Sequence, residues 1–301
     1  MMTAASLPFW KMHGTGNDFV VAEAPRVGPA SEEGAWPALA RAICDRHRGV
    51  GGDGLLLVLP SSVADRRMRI FNADGSEAEM CGNGIRCFVR YLLDRGLVEA
   101  PDGRVQVETV PGVLTAETRR SGAGDVAGVR VSMGRPAFDP AAIGAALEGP
   151  APVLDLPLAV TPEGGDEVGL TLTLVSMGNP HAVCFLDGSP RAYPVERVGP
   201  AVERHPLFAR RTNVEFVRVE GRGALEMRVW ERGVGETQAC GSGACAAVVA
   251  ARLHDLVDDE VTVRLPGGEI TVTWDGEGSV LLDGPAAHVF SAEWPLEGNA
   301  G

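Results

Sequence analysis

The 301-residue chain contains a single lysine, Lys11, against twenty-six arginines. Pyridoxal-phosphate enzymes hold their cofactor as a lysine Schiff base. Lys11 sits in an apparent first strand, so pyridoxal chemistry is not expected and no cofactor is implied. No run of about 18 apolar residues is present, which excludes a bilayer-spanning helix. Residues Met1 to Trp10 lack a charged start and a long apolar stretch, so no secretory signal is visible and the expected location is the cytoplasm. Cations are also outnumbered: the net charge of −13 argues against nucleic-acid and anionic-membrane partners, whose phosphates need clustered positive charge. The six cysteines are Cys44, Cys81, Cys87, Cys184, Cys240 and Cys245. In a reducing compartment they are thiols. None forms a CxxC pair, and spacings such as Cys81 to Cys87 do not suit a closed zinc site, so no metal is expected.

What is present is a core-forming chain rich in turn residues. Apolar residues make up 45% of it, with 39 glycines and 21 prolines. That composition favours short strands and turns over long helices, on a length that suits two domains. Strand-like runs include Phe9 to His13, Phe19 to Glu23, Leu55 to Leu59, Met68 to Asn72 and Arg104 to Val110 in the first half. Thr171 to Ser176, Ala182 to Leu186, Val214 to Val219, Leu225 to Glu231 and Val261 to Leu265 are examples in the second. Helices are expected over Glu32 to His47, Ile85 to Asp94 and Gly243 to His254, the last apolar nearly all round and so buried. Ser121 to Ala127 and Thr161 to Gly169 read as loops.

The halves are related. Laying Met68-Arg-Ile-Phe-Asn72 on Met227-Arg-Val-Trp-Glu231 and continuing without a gap puts Cys81-Gly-Asn-Gly84 on Cys240-Gly-Ser-Gly243. Gly16-Asn17 echoes Gly178-Asn179 upstream, and Pro111-Gly112 echoes Pro266-Gly267 downstream. The common order of these matches is the signal of a duplication. The expected fold is α+β: two pseudo-symmetric domains, each a barrel-like, mostly antiparallel sheet around a central helix. The boundaries are placed at 1–134 plus 287–301 for the N-terminal domain and 135–286 for the C-terminal one.

Each CGxG segment ends an extended run and precedes a helix. A helix N-terminus offers unpaired N–H groups and about half a positive charge, which lower a thiol's pKa and hold a carboxylate. Glycines let a ligand reach the backbone. If the two halves face one another, the thiols of Cys81 and Cys240 meet a ligand from opposite sides. Inversion of a carbon stereocentre requires that: one base removes the α-proton and an acid delivers another to the other face. Racemisation or epimerisation by two cysteines is therefore expected. Cys44, Cys87, Cys184 and Cys245 read as small core hydrophobes. Gly49 to Gly54 lacks the lysine of a phosphate loop and reads as a turn.

The segments His13-Gly-Thr-Gly-Asn17-Asp18-Phe19, Phe71-Asn72-Ala-Asp-Gly-Ser76, Met80-Cys81-Gly-Asn83-Gly84, Met177-Gly-Asn179-Pro-His181, Arg211-Thr-Asn213-Val214-Glu215, Glu231-Arg232-Gly233 and Ala239-Cys240-Gly-Ser242-Gly-Ala-Cys245 together resemble the diaminopimelate epimerases. The resemblance implies a cofactor-independent isomerase that interconverts LL- and meso-diaminopimelate in lysine and cell-wall precursor biosynthesis. It implies Cys81 and Cys240 as the acid and base pair. His181 and Glu231 are implied to tune their proton exchange. Backbone amides of Gly82, Asn83, Gly241 and Ser242 would hold the reacting carboxylate, with Asn17, Asn72, Asn179, Asn213, Glu231 and Arg232 binding the rest of the substrate. It also implies a final strand returning to the first domain, and a homodimer. One departure is Asp53-Gly54, where some members carry glutamine after the aspartate, so no substrate contact is carried over there. Two other readings stay open: another two-thiol racemase of the same fold, acting on histidine or proline, and a non-catalytic binding module.

Overall fold

The computed structural model describes residues 6–24, 32–78, 81–120 and 126–296. Met80 and most of the expected loop, residues 121–125, lie outside the described residues. The chain divides into two compact units, one reaching Val131 and resuming at Gly284, the other Ser132–Asp283.

The first unit contains β1 (Ser6–Gly14), β2 (Asn17–Glu23), α1 (Trp36–Cys44), β3 (Gly54–Leu59), β4 (Arg66–Asn72), β5 (Glu77–Ala78), α2 (Gly82–Asp94), β6 (Arg104–Thr109), β7 (Gly112–Arg120) and β8 (Val126–Ser132). The second contains α3 (Pro140–Ile143), β9 (Leu156–Val160), β10 (Val168–Ser176), β11 (Pro180–Phe185), α4 (Val195–Glu203), β12 (Asn213–Gly221), β13 (Ala224–Glu231), β14 (Gly235–Thr237), α5 (Gly241–Leu253), β15 (Glu260–Leu265), β16 (Gly268–Thr273) and β17 (Leu281–Gly284). The last strand, β18 (Ala287–Pro295), returns to the first unit and pairs antiparallel with β1.

The internal repetition is visible in the pairings. β2 runs parallel to β3, β3 antiparallel to β4, and β4 parallel to β6. In the second unit β11, β12, β13 and β15 repeat that order of directions. Even the register is kept, with Ile70 opposite Ala78 and Phe71 opposite Glu77 in one unit, Val229 opposite Thr237 and Trp230 opposite Glu236 in the other. Helices α2 and α5 are both 13 residues long. The α+β expectation, a mostly antiparallel sheet around one central helix in each unit, agrees with this architecture.

Burial explains why these segments adopt these states. The continuous apolar run of β3 is covered on both faces, as such runs require. Leu56 and Val58 belong to the core around α2, while Leu55 and Leu57 pack with Trp36, Leu39 and Ile43 of α1. Helix α5 is buried from Gly243 to Ala251, so its alanines and valines suit every side of it. Among the described residues no helix is long and apolar enough to cross a membrane.

Several boundaries differ from the sequence reading. Helices α2 and α5 start at the second residue of each CGxG, so the glycines form the first turn rather than a lead-in. Helix α1 stops at Cys44 because Gly49, Val50, Gly51 and Gly52 donate their amides to the carbonyls of Asp45, Ile43 and Cys44, folding the chain back over the helix end. Val126 and Ala127 belong to β8, and Val168 and Gly169 to β10, instead of the expected loops. Helix α4 is not among the helices expected from the sequence, and it contains Gly199 and Pro200, both poor helix formers. Here the glycine is a packing device: a Cβ on it would lie 2.6 Å from Cγ of Trp230.

Candidate active site

In the first unit the candidate residues gather at the N-terminus of α2. Cys81 is its N-cap, with extended backbone (φ −141°, ψ 118°), so the thiol sits where the helix amides open. The turn between β1 and β2 brings Asn17 to it. Cys81 Sγ donates to Asn17 Oδ1 at 3.7 Å, and Asn83 Nδ2 donates to the same oxygen at 3.2 Å. That turn is anchored from inside the core. Arg86, fully buried one turn into α2, donates to Thr15 Oγ1 at 2.9 Å, to Gly82 O and to Pro285 O.

The orientation of the Asn17 amide follows from its other neighbour. Asn17 Nδ2 donates to Asp53 Oδ2 at 2.5 Å, and the Asp18 amide reaches the same oxygen at 3.0 Å. An ionised carboxylate only accepts, so the amide nitrogen faces Asp53 and its oxygen faces the thiol. Asp53, passed over in the sequence, therefore supports the site through Asn17. At the next position a Cβ on Gly54 would lie 2.8 Å from the Phe71 carbonyl oxygen, which disfavours any side chain there. Asn72 stands apart from these contacts: it ends β4 opposite Gly54 and donates to Ser76 Oγ at 2.9 Å.

Arg46 ties Asp53 to Asp18, donating to both carboxylates at 2.7 Å, and Lys11 Nζ lies 2.5 Å from Asp18 Oδ2 and also donates to the Gly51 carbonyl. The lone lysine thus has a structural task. Burial alone raises the Asp18 pKa, but the hydrogen bonds from Arg46 and Lys11 outweigh it and hold the carboxyl at about 2. A folded-state pKa below the ordinary value of about 3.9 stabilises the fold above pH 4, and that contribution disappears as pH falls towards 2. Asp18→Asn is expected to cost on the order of 1 kcal/mol at pH 7 after allowance for solvent screening. Urea melts at pH 7 and pH 2.5 check this, since the gap between variant and wild type should shrink at the lower pH.

The second unit carries the larger hydrogen-bonded set. Cys240 caps α5, is buried, and accepts from the Gly243 amide at 3.4 Å, with Ser242 Oγ at 3.5 Å. Burial pushes its thiol well above the usual range, as do the carboxylates of Glu231 and Glu215, while the Ser242 and Gly243 donors act the other way. At Cys240 burial thus outweighs the lowering expected for a thiol at a helix N-terminus. Asn179 Nδ2 donates to Ser242 Oγ at 3.3 Å, and its Oδ1 lies 3.0 Å from His181 Nε2. Asn213 bridges the strands: its Nδ2 donates to Pro180 O and its Oδ1 accepts from the Arg232 amide, both at 2.8 Å. Glu231 accepts from Thr237 Oγ1 across the β13–β14 pair. The exposed Arg232 guanidinium donates to the Arg210 carbonyl.

Of the expected residues, the structure joins Asn17, Cys81 and Asn83 in one cluster and Asn179, His181, Ser242 and Cys240 in another, with Gly82 and Gly241 opening the two helices. Cys44, Cys87 and Cys184 are buried, and burial raises their thiols to about 12, 12 and 11 respectively. Cys245 is buried as well. Sequence reasoning missed Asp53 and Glu215. Glu215, wholly buried, lies with Oε1 2.7 Å from His181 Nδ1.

The profile of the family described as diaminopimelate epimerase matches residues 9–138 and 173–289. A diaminopimelate epimerase of Moorella thermoacetica is 51% identical over 290 residues, covering 96% of this chain and 99% of its own. One from Desulfitobacterium hafniense is 50% identical over 280 residues, covering 93% and 95%. Among solved structures, a phenazine biosynthesis protein of the PhzF family from Bacillus anthracis superposes with a TM-score of 0.69 at 19% identity, covering 96% of this chain and 99% of its own. A hydroxyproline epimerase from Agrobacterium vitis gives 0.68 at 18% identity, covering 98% and 94%. These two show a shared fold.

Proposed function

The chain belongs to the diaminopimelate epimerase family, and from that premise we propose that it interconverts LL- and meso-2,6-diaminopimelate by a two-thiol proton transfer at the α-carbon. The observation that supports the mechanism is the repeated placement of a thiol at the N-cap of a 13-residue helix, with Asn17 at the Cys81 thiol and Asn179 linked to the Cys240 thiol through Ser242. In one direction one cysteine, as thiolate, takes the α-proton while the other, as thiol, gives a proton to the opposite face. In the reverse direction the roles exchange. The developing enolate-like charge is stabilised by carboxylate contacts to the first amides of both helices, those of Gly82, Asn83, Gly241 and Ser242. No imine to a cofactor is needed, so the lone lysine stays in its ion pair.

The remaining candidates suit a second amino-acid head group. Arg232 is a cation for the distal carboxylate, Glu231 an acceptor for an ammonium, and Asn17, Asn72, Asn179 and Asn213 supply paired donors and acceptors. His181 and Glu231 adjust the thiols' proton exchange. In this reading the two compact units are the two epimerase domains, and the enzyme works in the cytoplasm as a homodimer within lysine biosynthesis.

The test is stereochemical. Purified protein with no added cofactor is given LL-diaminopimelate, L-histidine or L-proline, and product configuration is resolved by chiral chromatography. Conversion of diaminopimelate alone is expected. Conversion of histidine or proline without diaminopimelate overturns the substrate assignment, and inertness towards all three favours a binding module.

A further inference from the structure

We propose that Glu215 is a positioning residue for the Cys240 end of the site, sharing one proton with His181 and so fixing His181 as a donor through Nε2. Strands β11 and β12 run parallel with His181 opposite Asn213. Glu215, two residues further on, shares the face of Asn213. The His181 and Glu215 side chains have no exposure to solvent, and His181 Nδ1 lies 2.7 Å from Glu215 Oε1. From there a chain of polar contacts runs to the thiol, through His181 Nε2 and Asn179 Oδ1 (3.0 Å), Asn179 Nδ2 and Ser242 Oγ (3.3 Å), then Ser242 Oγ and Cys240 Sγ (3.5 Å).

The proton positions follow from what each atom can do. An amide oxygen only accepts, so His181 Nε2 must carry a hydrogen. Nδ1 then has two states. In a neutral imidazole it accepts, and Glu215 must be the acid that donates to it. In an imidazolium it donates, and Glu215 must be the carboxylate. One proton on the Nδ1–Oε1 line serves both states, and the pair is neutral overall in each. Glu231 and Cys240 are the other titratable groups acting on this pair. Net neutrality keeps a second negative charge away from a thiol that must ionise during turnover.

Two further observations support the shared proton. Burial raises the Glu215 pKa, with His181 opposing it. Its other oxygen, Oε2, is buried without a hydrogen-bond partner, a state that costs less for a protonated acid than for a full carboxylate. The group is also packed against the thiol's helix: a Cβ on Gly243 would stand 2.8 Å from Glu215 Oε1 and 3.3 Å from Cys240 Sγ. A glycine is what leaves room for the carboxyl.

The test uses the full chain with ¹⁵N-labelled histidine, comparing wild type, Glu215→Gln and Glu215→Ala by long-range ¹H–¹⁵N spectra, with kcat and KM measured alongside. A Gln amide can still donate to Nδ1, so E215Q should keep the Nε2 proton on His181 and hold kcat within about threefold. E215A leaves Nδ1 without its partner. There the His181 nitrogens should shift towards a mixture of tautomers, with kcat lowered about tenfold or more and KM within about twofold, as when the orienting group behind a catalytic imidazole is lost. An unchanged His181 signature in E215A, or a proton on Nδ1 rather than Nε2 in E215Q, overturns the proposal. If E215A does not fold, the E215Q spectrum alone decides. The rate arm rests on the two-thiol reading, whereas the spectra do not. Failure of wild type to epimerise diaminopimelate therefore leaves the Glu215–His181 question answerable.

Discussion

Cys81→Ala and Cys240→Ala should each reduce epimerisation of diaminopimelate by about 10³-fold or more, because in the proposed two-thiol transfer each removes one of the two proton carriers. Neither change should unfold the protein. Cys81 is half-buried, and Cys240 loses only a sulfur at a helix cap, so melting temperatures should stay within a few degrees of wild type. Cys245→Ala is the control. It sits on the same helix, fully buried, and should cost stability while retaining most of the activity. Wild-type-like turnover in either cap variant contradicts the assignment, as does a comparable loss in the control.

Gly49→Ala should be strongly destabilising. A Cβ there would stand 2.3 Å from the Ala42 carbonyl oxygen, 2.7 Å from that of Ile43 and 2.9 Å from that of Asp45. These are backbone atoms at the end of α1, so no side-chain rotation relieves the clash. Overpacking of this kind costs about 3 kcal/mol, or roughly 10 °C in Tm for a unit of this size. Gly96→Ala gives the contrast. Gly96 has a positive φ of 63° but open space around it, so the conformational cost alone, about 1 kcal/mol, is expected. Scanning calorimetry of both variants measures the difference. The loop beginning at Gly49 also carries Asp53, so a Gly49→Ala protein that folds should lose activity through a misplaced Asn17.

How much of this was legible in the sequence depends on distance along the chain. The two central helices and their cysteine caps were readable, because CGxG precedes a helical pattern in both halves and Cys240 follows Cys81 by 159 positions, the same spacing that separates Gly82 from Gly241 at the helix starts. Helix α4 was not readable. Its Gly199-Pro200 pair breaks the local pattern, and only Trp230 on a distant strand shows why a glycine belongs there. Asp53 read as part of a turn, since its partner Asn17 lies 36 residues away. Glu215 stands in the sequence only as the last residue of the Arg211 to Glu215 segment, inside an expected strand and with no role attached. Its meaning depends on the parallel pairing of β11 and β12, which residues 34 apart in sequence do not announce.

The two-thiol transfer is tested most directly by following LL-diaminopimelate in deuterium oxide at low conversion. With one thiol removing the α-proton and a second, solvent-equilibrated thiol delivering the replacement, the first meso product should carry one deuterium at the inverted carbon. The remaining LL substrate should still hold protium there. Deuterium entering the recovered substrate as fast as product forms would mean that a single group works on one face, and would contradict the two-cysteine mechanism.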